Sequence, residues 1–144
     1  MIDVTGISPE FKPAVLSLAA RMRADGFQRS DPIREIPALL GDRWTSLILL
    51  VLEIGRWRHA DLRRVLGRLA AEGQISQRVL TVKLRALERN GFVLRNVTRD
   101  VPPKVSYQLT EVGASLVGEA RRLIAWVQCH RTAIDAARAA FDAD

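Results

Sequence analysis

The chain has 144 residues, 48% of them apolar and 26% charged, which suits one folded domain with a real core and excludes a disordered chain. One cysteine excludes an internal disulfide framework, and no apolar run reaches the roughly eighteen residues of a membrane span. The net charge of +6 points toward polyanions. Met1 to Glu10 lacks a basic stretch leading into an apolar one, so no signal peptide is expected and the expected location is cytoplasmic. The charge is unevenly placed. Arg56 to Lys104 holds 12 Lys or Arg against four acids, whereas the rest of the chain holds 10 against 12. The positive excess therefore lies in one central segment, as expected of a surface facing phosphates.

Ser8, Pro9 and Glu10 read as the cap and first turn of a helix that carries Phe11, Val15, Leu18 and Met22 and ends at Gly26. Asp31-Pro32 opens a shorter helix, kinked or restarted at Pro37. An apolar helix is expected from Asp42 to about Ile54. A basic turn, Arg56-Trp57-Arg58-His59, leads into a helix of about 60–71 with Leu62, Val65, Leu66 and Leu69 on one face. Ser76 caps the next helix, 76–90, which carries the stripe Leu80, Leu84, Leu87 and stops at Asn90-Gly91. Phe92 to Arg99 and Val105 to Thr110 read as strands around a tip stiffened by Pro102 and Pro103. A C-terminal helix opens at Thr110 and reaches roughly Phe141. The order predicts a mainly α fold with a small β-hairpin wing, a winged helix-turn-helix. The expected division is an N-terminal helical extension (1–35), a DNA-binding domain (36–110) and a dimerisation helix (111–144).

At about 100° per residue, the leucine stripe of helix 76–90 leaves Gln77, Arg78, Thr81 and Arg85 outward or along one flank. Arg matches guanine, Gln adenine, and Thr can touch a thymine methyl, so these four are the expected base readers in double-stranded DNA. The competing reading is an ordinary solvated helix face, against which stand the local charge excess and the wing. Ser76 with its helix start, Arg58 and Arg63 beside the supporting helix, and Arg99 and Lys104 at the wing tip are the expected backbone contacts. Arg56 and Arg64 lie near the same phosphates, and Arg95 is equally suited to an ion pair.

LLGDRW at 39–44, RHADL at 58–62, ISQRVLTVKLRALERNGFVLR at 75–95 and VPPKVSYQLTEVG at 101–113 resemble the HxlR-type winged-helix regulators. That resemblance implies a dimeric DNA-binding transcription factor with 76–90 as reading helix, Trp44 and Leu47 in the core, and Tyr107 under the wing. The chain departs from the family in carrying His59 where Phe is usual, and in a longer link, Gly67 to Gln74, expected to lengthen the supporting helix by more than a turn. Some such proteins sense oxidants through a cysteine near the N-terminus, and none stands there in this chain.

Positions 116, 120, 123, 127, 130, 134, 137 and 141 form a three-four seam in the last helix, apolar at all but His130. It extends beyond what a small wing domain covers, so a homodimer is expected through Leu116, Leu123, Val127, Ile134 and Phe141, joined by Phe11, Val15 and Leu18. The alternative is a helix packed on its own domain. Two histidines and Cys129 lack metal-ligand spacing, so no metal or other cofactor is expected, and Cys129 is expected to act as a small interface or core residue. No phosphate loop or nucleophile motif suggests an enzyme. An unidentified small-molecule effector near Trp44, Trp57 or Trp126 has no polar constellation to define it. The rival to DNA binding is a winged-helix module that binds protein through the same fold.

Overall fold

The computed structural model describes residues 1–144, which form two compact units, Met1–Asp42 and Arg43–Asp144. In the first, α1 (Lys12–Ala24) begins later than Ser8-Pro9 suggests. Proline lacks an N–H and clashes with the carbonyl four residues back, so Pro13 fits only a first turn, and it excludes a helix start at Pro9. No residue of α1 is buried. α2 (Pro32–Leu40) runs through Pro37, and the Asp31 side chain accepts from the Ile33 N–H at 3.0 Å.

In the second unit α3 (Arg43–Leu52) buries Thr45, Ile48, Leu49, Val51 and Leu52. Trp44 and Leu47 are only half-buried, so the core face lies one position round from where the family resemblance puts it. The expected basic turn contains a strand, β1 (Trp57–Arg58), and the Trp57 Nε1 donates to the Val51 carbonyl at 3.0 Å. With β2 (Val93–Val97) and β3 (Val105–Leu109) it makes an antiparallel sheet of order β1-β3-β2, in which Trp57 pairs with Tyr107 and Val93 with Leu109. Two residues are too few to show period-two alternation, which is why this third strand was not legible in the sequence. Tyr107 is buried, as expected of a residue beneath the wing.

α4 (His59–Leu69) anchors through Leu62 and Leu66. Of the long link only Gly67 to Leu69 is helical, less than the extra turn expected. The rest folds back instead: a Cβ on Gly67 would fall 2.5 Å from the Gln74 Oε1, so the Gln74 amide lies across that glycine. α5 (Gln77–Arg89) starts where the Ser76 hydroxyl accepts from the Val79 N–H at 3.1 Å. Leu80, Leu84 and Leu87 are fully buried, each stabilising the fold by about 1.5–3 kcal/mol. Gly91, at φ +77°, turns the chain out of α5, and the Phe92 N–H reaches back to the Leu87 carbonyl.

α6 (Glu111–Asp142) opens where Thr110 Oγ1 accepts from the Gly113 N–H at 3.0 Å and donates to the Gly91 carbonyl at 2.6 Å. A Cβ on Gly113 would sit 2.0 Å from the Phe92 carbonyl oxygen, so this close approach of helix to strand requires glycine. Gly113, Leu116, Val117 and Ala120 are buried within the unit. Leu116 is therefore a core residue, which corrects its expected place in a dimer seam; the seam begins only after α6 has crossed its own domain.

Candidate nucleic-acid interface

α5 turns its leucines inward and leaves Gln77, Arg78 and Arg85 exposed. Arg78 makes no ion pair, whereas the Arg85 guanidinium lies 3.6 Å from the Glu88 carboxylate one turn on. Of the four expected base readers Thr81 stands apart. It is half-buried, its hydroxyl donates to the Gln77 carbonyl at 2.8 Å, and it meets the His59 Nε2 at 3.1 Å. The Thr81 hydroxyl thus links α5 to α4. Sequence reasoning did not give His59 this place, because only the fold brings residues 59 and 81 together.

Two basic depressions flank the start of α5 and the wing. One, of about 320 Å³, is lined by His59, Ala60, Arg63, Arg64, Gln74 and Gln77. There the Arg63 Nε donates to the Ile75 carbonyl at 2.8 Å, and Arg64 pairs with Asp61 at 2.8 Å. Burial, helped by the nearby Arg63 cation, holds the His59 imidazole below its usual range. The other, of about 470 Å³, is lined by Arg56, Trp57, Arg58, Asp61, Thr98, Lys104 and Ser106. Arg56 is fixed there by a 2.8 Å bond from its Nε to the Gln108 Oε1.

The wing tip is closed by two bonds of 2.9 Å, from the Thr98 N–H to the Lys104 carbonyl and from the Lys104 N–H to the Thr98 hydroxyl. Arg58, Arg99 and Lys104 are exposed, as is Ser76, whose hydroxyl oxygen caps α5. β1, α5 and the wing thus carry cations without ion-pair partners at Arg58, Arg78, Arg99 and Lys104, the arrangement that captures phosphates and guanine edges.

A second uncovered surface is apolar. From Arg121 to Asp142 every residue of α6 is exposed except the half-buried Ile134, including Leu123, Trp126, Val127 and Phe141, the last at 81%. Phe11, which caps α1, and Leu18 within it are likewise exposed, and Val15 is half-buried. Cys129 is exposed, not a core residue, and His130 stacks on Trp126 with ring centroids 4.3 Å apart. Within the first unit Met1, Ile2, Val15, Leu18, Met22 and Phe27 line an open, mainly apolar cavity of about 620 Å³. No helix is long and apolar enough to cross a membrane.

The profile of the HxlR-like helix-turn-helix family matches residues 39–135. The HTH-type transcriptional regulator YdeP of Bacillus subtilis is 34% identical over 113 residues, covering 78% of this chain and 84% of its own. Among solved structures, the transcriptional regulator ytfH from Salmonella typhimurium superposes with a TM-score of 0.61 at 33% identity, over 78% of this chain and 95% of that one. The reduced form of the transcriptional regulator YodB from B. subtilis does so with a TM-score of 0.57 at 33% identity, over 69% and 92%. The protein-binding alternative finds no support in these relatives.

Proposed function

The chain belongs to the HxlR-like helix-turn-helix family of DNA-binding transcriptional regulators, and from that membership we propose that it grips a near-palindromic operator as a homodimer, each copy laying α5 in a major groove. The observation that carries this reading is the exposed Arg78, without an ion-pair partner, in the first turn of a leucine-backed helix whose start borders a basic depression. Arg78 reads guanine, with Gln77 beside it. Arg85 contributes less, because Glu88 competes for its guanidinium. Thr81 offers the groove its methyl while its hydroxyl holds α4. Ser76, Arg58, Arg63, Arg99 and Lys104 take backbone phosphates, Arg63 through the guanidinium nitrogens left after Nε binds Ile75.

The second copy covers the apolar length of α6, through Leu123, Val127, Ile134 and Phe141, together with Phe11 at the start of α1 and Val15 and Leu18 within it. The exposed apolar residues along α6 beyond Ala120 support this, since a self-complementary patch closes on a two-fold axis. Such a dimer sets two reading helices about 34 Å apart, one turn of B-DNA. The protein acts in the cytoplasm, by binding and without catalysis, and an effector that altered the dimer would alter this spacing.

Selection of bound sequences from a random duplex pool by the full chain tests the reading. Enrichment of an inverted repeat with half-sites centred about 10 bp apart is expected. Retention of the pool without enrichment, or no retention at low salt, overturns it.

A further inference from the structure

We propose that the depression between α4 and the start of α5 is a socket for one DNA backbone phosphate, and that His59 takes up a proton as the phosphate enters. The inference rests on the DNA-binding reading and adds to it a proton-linked contact.

The chemistry of the walls selects an anion. Two guanidiniums, an imidazole and two carboxamides line a space of about 320 Å³, on the order of ten water volumes, and no carboxylate lines it. The Asp61 carboxylate nearby is taken by Arg64. Arg63 is held by Ile75 rather than by an acid, so its charge is positioned but not neutralised. Gln74, the last residue of the folded-back link, is laid over Gly67, and Gln77 begins α5, so both carboxamides come from the entry to α5.

His59 supplies the coupling. Thr81 gives its hydroxyl proton to the Gln77 carbonyl, so toward His59 its oxygen can only accept. The neutral imidazole consequently keeps its proton on Nε2, and Nδ1 is the atom that protonates. Protonation there leaves the bridge to Thr81 intact and adds a charge to the socket. The groups facing the ring are Arg63 on its own helix, the uncharged Gln77 and Thr81 of α5, and the Tyr107 ring of β3 at 6.2 Å between centroids. Arg58 precedes it in β1 and Arg64 lies across the socket. Burial, and cations with no free carboxylate around it, favour the neutral ring in the free protein. A phosphate beside it reverses that balance.

The sign follows from linkage. DNA-bound protein holds more protons than free protein between the two titration midpoints, so affinity rises as pH falls through that window and levels off at both ends. The test measures affinity of the full chain for a 30-bp random-sequence duplex at constant ionic strength from pH 5.5 to 8.5. The wild type should gain about three- to tenfold per protomer across this range, with at most about half a proton taken up per socket at any one pH. His59→Gln, which keeps a donor for Thr81 but cannot be charged, should lose this pH dependence, its affinity staying flat from pH 5.5 to 8.5 whatever its absolute value. His130→Gln should keep the wild-type slope. The His59 ring protons, followed by NMR, should titrate at higher pH with duplex than without. Equal slopes in wild type and His59→Gln, or a His59 midpoint that DNA does not raise, overturn the socket alone. Failure of the wild type to bind any duplex at any pH overturns the DNA-binding reading with it.

Discussion

α5 and α6 are both helices with one covered and one open side, and they differ in what the open side carries. α5 covers Leu80, Leu84 and Leu87 and opens onto Gln77, Arg78 and Arg85. α6 covers Gly113, Leu116, Val117 and Ala120 within about ten residues, then projects Leu123, Trp126, Val127 and Phe141 into solvent. A polar open face is stable in water and awaits a charged partner. An apolar one costs free energy until something covers it, at about 25 cal/mol per Å². Each helix thus states the chemistry of its partner in the residues its own domain leaves bare.

The largest expected effect lies in α6. Leu123→Asp with Val127→Asp puts charge into the face assigned to the second copy, both residues being exposed in the single chain. The isolated fold should keep its thermal midpoint at low concentration while sedimentation shifts to monomer. Affinity for a two-half-site operator should then fall by at least about a hundredfold, since the second half-site no longer binds at high effective concentration. A monomer that bound the operator as tightly as the parent would remove the two-fold arrangement.

The proximal part of the same helix should behave in the opposite way. Gly113→Ala improves helix propensity by about 1 kcal/mol, yet its Cβ meets the Phe92 carbonyl oxygen, a backbone atom that cannot rotate aside. A net loss of about 1–3 kcal/mol in urea unfolding is expected, with dimerisation affected only through folding. An unchanged urea midpoint would show that α6 does not approach β2 as closely as described.

On α5 the expected effect is smaller and selective. Arg78→Ala should cost about 1–3 kcal/mol on the selected operator and relax base preference at one position. Arg85→Ala should cost less, because in the free protein Arg85 already has Glu88. Competition between selected and scrambled duplexes distinguishes them, and an equal loss on both duplexes for Arg78→Ala would move that residue from base to backbone.

Most of α5 was readable from the sequence because its signals are local: a cap at Ser76, a leucine every three or four residues, an Asn-Gly stop. The charged face followed from the same periodicity. The features that escaped are those in which distant residues decide. β1 is a strand only because β3 lies beside it, and Leu116 fits the three-four seam of α6 as well as Leu123 does, yet the wing domain claims the first and leaves the second. The His59–Thr81 bridge crosses 22 positions and carries no periodic trace. The start of α1 is by contrast a local matter, because the clash of Pro13 with the residue four back excludes a helix start at Pro9.

The smallest expected effect lies on the wing, and its form matters more than its size. Arg99 and Lys104 are exposed and free of carboxylates, beyond the end of the paired strands. Such cations meet phosphate rather than base edges, so Lys104→Ala should weaken selected and scrambled duplexes alike. Each phosphate contact releases counterions, and losing one should lower the slope of log affinity against log salt by about 0.9 per protomer. Arg99→Ala should do the same, and the double variant should lower the slope by twice as much if the two hold separate phosphates. Titration of binding from about 50 to 200 mM salt resolves a change of this size. A slope unaltered in the double variant would mean that the wing does not touch DNA, and the basic segment would then act through α4 and α5 alone.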